Sequence, residues 1–239
     1  MKRFQGVLFI CGLLPLLVQG QARTPKAGAT VDLTGYWVSV VTEDWLYRMV
    51  TPAKGDYTSV PLNPAGRKLA DTWDPAKDEA SGNQCKAYSA PAVMRIPGRV
   101  LIGWQDDYTL KVETDAGTQT RLFHFDASKA GAGGDWQGAS VANWDVEAGA
   151  RGALPGAGLR VITSHIKPGY LRKNGVPYSG NVQLTEYYDR VNETNGDSWL
   201  IVKTIVDDPT YLNTPFITST HFKKQADSKG WNPTPCMAR

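Results

Sequence analysis

Histidine and cysteine are scarce in this chain, three of each in 239 residues. The histidines, His124, His165 and His221, are far apart, and no two stand at the close spacing of a zinc motif. The glycine run Ala130 to Gly134 lacks the Gly-Lys-Ser/Thr ending of a phosphate-cradling loop, and no helical pattern follows it. No Gly-x-Ser-x-Gly elbow surrounds any serine, so a hydrolase of that type is not indicated. Charge of one sign is also lacking. The formal net charge of +3 falls to +1 once Lys2 and Arg3 are removed. No nucleic-acid footprint and no polybasic membrane run follow from that balance.

Long apolar stretches are missing too, except from Val7 to Val18. Lys2 and Arg3 precede that stretch, and Gly20-Gln21-Ala22 ends it with small residues at the two positions a signal peptidase reads. Residues 1–22 are therefore expected to be a secretory signal cleaved after Ala22, not a membrane span. The mature chain is expected in the periplasm or outside the cell. Cys11 leaves with the signal. Cys85 and Cys236 remain, and an oxidising compartment lets them pair.

What the chain has in quantity is short alternating segments. After a polar linker over 23–32, strands are expected near Leu33 to Val41, Arg99 to Gln105, Tyr108 to Thr114 and Thr118 to Phe125. Others follow at Trp136 to Val146, Leu159 to Ile166, Val182 to Tyr188, Trp199 to Val206 and Phe216 to Lys224. Ala92 to Ile96 reads as one more, paired across Pro97-Gly98, and a glycine-rich hairpin is expected from Gly149 to Gly158. Asn63 followed by Pro64 is an N-cap and first-turn signal for the one substantial helix, running to about Thr72. A further turn is expected from Lys77 to Ala80. Glu43 to Val50 is ambiguous between strand and short helix. Nine or ten strands of this spacing predict one all-β domain over 33–239. Its expected form is an antiparallel up-and-down barrel with one short N-terminal helix insertion, since closure removes exposed edges.

Gly35-Tyr36-Trp37 resembles the opening of a lipocalin-type barrel. The resemblance implies that Trp37 packs against a basic residue of the last strand, Lys223 or Lys224. A second pattern spans most of the mature chain. It comprises Trp136-Gln137-Gly138-x-Ser140-Val141-x-x-Trp144-Asp145, then Asp208-Pro209-x-Tyr211-Leu212, then a Trp-x-Pro-x-x-Cys type of ending. It resembles a group of uncharacterised secreted bacterial proteins that carry a serine and, in the strand after a long loop, a glutamate; here these are Ser179 and Glu186. The resemblance implies export and the barrel fold, and leaves function open.

The chemistry centres on Gly158 to Arg190. A strand ending at His165, a loop from Lys167 to Ser179 and a return strand carrying Glu186 place titratable groups near one end of the expected barrel. On a period of two, His165 follows Leu159, Val161 and Thr163, while Glu186 shares a face with Leu184 and Tyr188. If those faces are interior, His165 is the candidate general base, with Glu186 or Tyr178 assisting. The candidate ligand-binding residues are Trp104, His124, Tyr170, Arg172, Tyr188 and His221, with Arg172 suited to a carboxylate or phosphate. No metal or other cofactor is expected. The leading expectation is an exported lipocalin-like barrel binding a small apolar or aromatic molecule, gated by the 167–179 loop. The alternatives are a cofactor-free lyase or isomerase using His165, and a structural envelope protein with a filled barrel.

Overall fold

The computed structural model describes residues 23–146 and 157–239. The expected signal segment and most of the hairpin expected from Gly149 to Gly158 lie outside the described residues. Among the described residues there are eleven strands: β1 (Gly35–Val40), β2 (Arg99–Trp104), β3 (Thr109–Thr114), β4 (Gln119–His124), β5 (Ala139–Val146), β6 (Ala157–Ser164), β7 (Gly169–Arg172), β8 (Val176–Tyr178), β9 (Gln183–Asn192), β10 (Ser198–Asp207) and β11 (Phe216–Gln225). Nine of them close a barrel in the order β1-β11-β10-β9-β6-β5-β4-β3-β2, and β7 and β8 form a separate hairpin.

Every neighbouring pair in the barrel is antiparallel except one. β4 and β5 run in the same direction, with Phe123 beside Ser140 and His124 beside Val141. The barrel is therefore mixed, and not purely antiparallel as expected. The cause is the connection over 125–138, which carries the chain back along the barrel before β5 begins, as a parallel pair requires.

Side chains on a period of two turn inward to build the core. Trp37, Ile102, Leu110, Val112, Phe123, Leu159, Val161, Tyr188, Leu200, Val202 and Phe222 are all buried there. Each such large apolar side chain contributes about 1.5–3 kcal/mol on burial. At the end where β1 starts, Trp104, Phe125 and Trp144 stack with ring centroids 5.3–6.2 Å apart. The expected linker, residues 23–32, is fastened across this end. Trp144 Nε1 donates to the Pro25 carbonyl at 2.8 Å, and Arg190 donates to the Asp32 carbonyl at 2.8 Å. Lys224 Nζ lies 5.3 Å from the centre of the Trp37 ring, the packing expected of Gly35-x-Trp37.

The opposite end carries a cap. It is built from the β1–β2 insertion, which holds α1 (Trp45–Arg48), α2 (Pro64–Ala70), α3 (Pro75–Ala80), a tight helical turn at Gln84–Tyr88 and α4 (Ala90–Val93). The insertion is thus several short helices where one was expected. Asn63 caps α2 through Gly66 N at 2.9 Å, and Asp74 caps α3, each followed by a proline. Ala92 to Ile96 is not a strand. Pro91 opens α4 instead, where its missing N–H and fixed φ suit a helix start. The β7–β8 hairpin turns at Asn174-Gly175, with Gly175 at φ 83°. It packs with Tyr57, Leu62, Leu171, Val176, Tyr178, Leu212 and Phe216 into a second core. A disulfide joins Cys85 to Cys236 across 151 positions and ties the C-terminal tail to the cap. A bond closing so long a loop stabilises by roughly 2–4 kcal/mol.

Candidate functional site

Glu186 is fully buried inside the barrel, as its alternation implied, but its partner is not His165. Arg121, on the inward face of β4 with Phe123, holds Glu186 in a two-pronged ion pair of 2.9 and 2.6 Å. Tyr188 donates to Glu186 at 3.1 Å, and Arg121 also donates to Thr163 Oγ1 at 3.1 Å. Thr163 is in turn 2.8 Å from Ser140, and the Arg121 guanidinium lies 4.8 Å from the Phe123 ring centre. Burial works against the Arg121 charge, but Glu186 outweighs it and holds the pKa above the ordinary arginine value. Burial, then the Glu186 charge, pushes the Tyr188 hydroxyl well up. This network fills the layer of the barrel where a ligand was expected.

His165 stands outside. The strand stops at Ser164, and His165 takes φ 53°, a left-handed conformation that ends the alternation one residue too early for the inward face. Its side chain is exposed and meets Ser164 Oγ at 3.0 Å. The 133–135 loop grips this corner, since Gly134 N donates to the His165 carbonyl and Lys167 N to the Asp135 carbonyl, each at 2.7 Å. His124 and His221 also sit on outward faces: the inward residues of their strands are Arg121 and Phe123, and Thr220 and Phe222. His124 meets Thr109 at 3.4 Å, and His221 faces Glu43 at 3.4 Å. Among the described residues no cluster of three potential metal ligands exists.

The other expected site residues are dispersed. Tyr178 donates to the Lys167 carbonyl at 2.8 Å inside the cap. Tyr170 donates to Asp78 at 2.8 Å, beneath Lys86. Trp104 belongs to the aromatic stack at the far end. Ser179 is buried, and its Oγ donates to Asp208 at 2.7 Å. Asp208 also accepts from Ser179 N and Thr210 N, so the Asp208-Pro209 signature fastens the β7–β8 hairpin to the barrel.

Arg172 remains, and it lines a cavity of about 100 Å³ at the capped end. Tyr47, Arg48, Arg95 and Lys173 line the same cavity, with Met49 and Val50 at its edge. Arg48, Arg95 and Arg172 are all buried. Arg48 pairs with Glu43 and donates to the Arg95 carbonyl at 2.8 Å. Arg95 pairs with Asp44 at 3.0 Å and lies over the Phe216 ring. Arg172 stacks on Tyr47 at 4.4 Å and donates to the Thr58 carbonyl at 2.6 Å, with no carboxylate in ion-pair range among the described residues. Three guanidinium nitrogens, Arg95 Nη1 and Arg172 Nε and Nη2, are buried without an acceptor in the protein. Burial, and then the neighbouring Arg95 charge, pulls the Arg172 pKa below the ordinary arginine value. Such donors favour an oxyanion, because a buried unpaired charge is otherwise expensive.

Sequence reasoning singled out Arg172 on the hairpin and missed Arg48 and Arg95. Arg95 fell in a segment read as strand, and Arg48 in one left ambiguous. Arg121 was legible in principle, since it shares the parity of Phe123 against Glu186 on another inward face. No protein-family model, curated protein or solved structure matches the chain.

Two outcomes follow from this geometry. Replacing Glu186 by Gln strands a buried guanidinium and is expected to lower unfolding free energy by about 3–5 kcal/mol; pairing Arg121→Met with Glu186→Leu should recover most of that loss. Denaturant titration of the native chain and the two variants checks it, and a double variant no more stable than Glu186→Gln would contradict it. The second concerns alkali. Burial and then the bond to Asp71 push Tyr57 up to about 12, and burial, then the bond to Asp78, raises Tyr170 further. Because the folded pKa lies above the unfolded value near 10, the neutral tyrosines stabilise the fold fully below about pH 10. That contribution is lost as pH climbs through about 12. Tyrosinate absorbance read alongside melting should show these groups ionising late, with stability falling over the same interval; early ionisation at constant stability would contradict it.

Proposed function

We propose that this chain is an exported, lipocalin-like barrel that binds a small anionic molecule at its capped end. The observation that carries the reading is that Arg95 and Arg172, which line one cavity, keep three guanidinium nitrogens without an acceptor in the protein. Size decides what enters. A whole drug-sized ligand needs roughly 300–1,000 Å³, whereas this cavity offers about 100 Å³. A phosphate or carboxylate group fits that space, and the remainder of a larger ligand would extend outward past Met49 and Val50. The basic start, the small residues before Arg23 and the Cys85–Cys236 bond support export.

The small-molecule reading thus moves from the barrel interior to its rim, and the ligand changes from apolar to anionic. The gate expected over 167–179 becomes a fixed wall, because the hairpin is held by Asp208 and by its own core. A purely structural role for a filled barrel is the second reading, favoured by the packed Arg121–Glu186 layer.

Calorimetry and thermal melts with inorganic phosphate and with a simple carboxylate test the proposal. Binding should raise the melting temperature, as any native-state ligand does. Arg172→Gln should weaken affinity at least about tenfold, given roughly 1.5–3 kcal/mol for a hydrogen bond to a charged group. Identical melts with and without either anion would favour the structural reading.

A further inference from the structure

The rim of the anion cavity has its polarity turned inside out. Within six positions Trp45, Leu46, Met49 and Val50 are 59%, 57%, 59% and 69% exposed, while Arg48 between them is buried. Isolated exposed apolar residues are ordinary, but four large ones in one turn and its continuation form a patch. Met49 and Val50 line the cavity together with Arg95 and Arg172, so the patch adjoins the arginine site.

From this juxtaposition we propose that the capped end docks on an anionic phospholipid surface, with Trp45, Leu46, Met49 and Val50 entering the interfacial layer and a lipid phosphate seated between Arg95 and Arg172. The inference rests on the anion-site reading and names the source of the anion. Charge complementarity favours this occupant. A free phosphate needs the arginines but has no use for the apolar rim. A protein docking on the rim alone would leave the buried donors unanswered. A bilayer surface supplies both, since tryptophan and aliphatic side chains settle at the boundary of head groups and acyl chains while anionic head groups attract cations. The net charge of the chain gave no hint of this, because the cationic cluster is assembled by the fold from α1, the turn after α4 and β7, and not by any basic run.

The test uses the full mature chain with phosphatidylcholine vesicles, with and without phosphatidylglycerol, and inorganic phosphate as a soluble probe. Co-sedimentation should show binding to the vesicles containing phosphatidylglycerol, weakened by salt as exposed charge interactions are. The double variant Trp45→Glu/Leu46→Glu changes two exposed residues outside the cavity lining. It should reduce vesicle binding at least about tenfold and leave phosphate affinity unchanged. Arg172→Gln should weaken both. Phosphate binding without vesicle binding would overturn the docking inference and leave the anion site standing. Loss of both with the native chain would overturn both. Equal binding to vesicles of phosphatidylcholine alone would overturn the head-group assignment. A native dimer that the Trp45→Glu/Leu46→Glu variant dissolves, with no vesicle binding, would make the patch a self-association surface and overturn the inference.

Discussion

Three arginines share the capped end of one barrel, and among the described residues two carboxylates form ion pairs with them. Glu43 answers Arg48 and Asp44 answers Arg95, which leaves Arg172 with a carbonyl and an aromatic face. Removing a cation from water costs several kcal/mol unless its hydrogen-bonding capacity is met. Arg95 and Arg172 both line one cavity, and between them they keep three buried guanidinium nitrogens without an acceptor in the protein. An oxyanion there relieves the desolvation, the like-charge repulsion and the missing hydrogen bonds together. The proposed function and the membrane inference both derive from that one imbalance.

The same barrel contains the opposite solution. Arg121 is as deeply buried, yet Glu186 meets it with two hydrogen bonds and Tyr188, Thr163 and Phe123 complete its surroundings. That pair has little left to offer a ligand. It specifies which strands face one another across the barrel, because β4 and β9 are not hydrogen-bonded neighbours. Comparing the two sites separates a charge that serves the fold from a charge held ready for something else. Burial alone does not distinguish them, nor does a single unmet nitrogen, since Arg121 Nε lacks an acceptor as Arg95 Nη1 does; Arg172 differs in keeping two such nitrogens with no carboxylate in ion-pair range among the described residues.

Much of the barrel was legible because alternation is a local signal. Segments such as Thr118 to Phe125 and Trp199 to Val206 declare strands through period two, and the observed β4 and β10 lie close to those bounds. The parallel β4–β5 pair was hidden, since nothing in the 125–138 stretch states which way the next strand will run. The histidine reading failed for a related reason. Period two tells which residues share a face but not which face is interior, and His124 and His221, expected at a ligand, stand on faces that point outward. His165 kept the right parity and was lost to one left-handed residue at a strand end. The cap site lay beyond local pattern altogether. Arg48, Arg95 and Arg172 come from α1, the turn after α4 and β7, and only tertiary closure brings them to one cavity. Arg172 alone carried a signal, because it stands on a loop among aromatics and turn residues.

The central claim is that the buried guanidinium donors at the capped end exist to be met by an oxyanion. A high-resolution crystal structure grown in phosphate tests it most directly. The account predicts tetrahedral density within hydrogen-bond distance of Arg95 Nη1 and of Arg172 Nε and Nη2. Arg172 swung away to a protein acceptor, with no anion between it and Arg95, would contradict it.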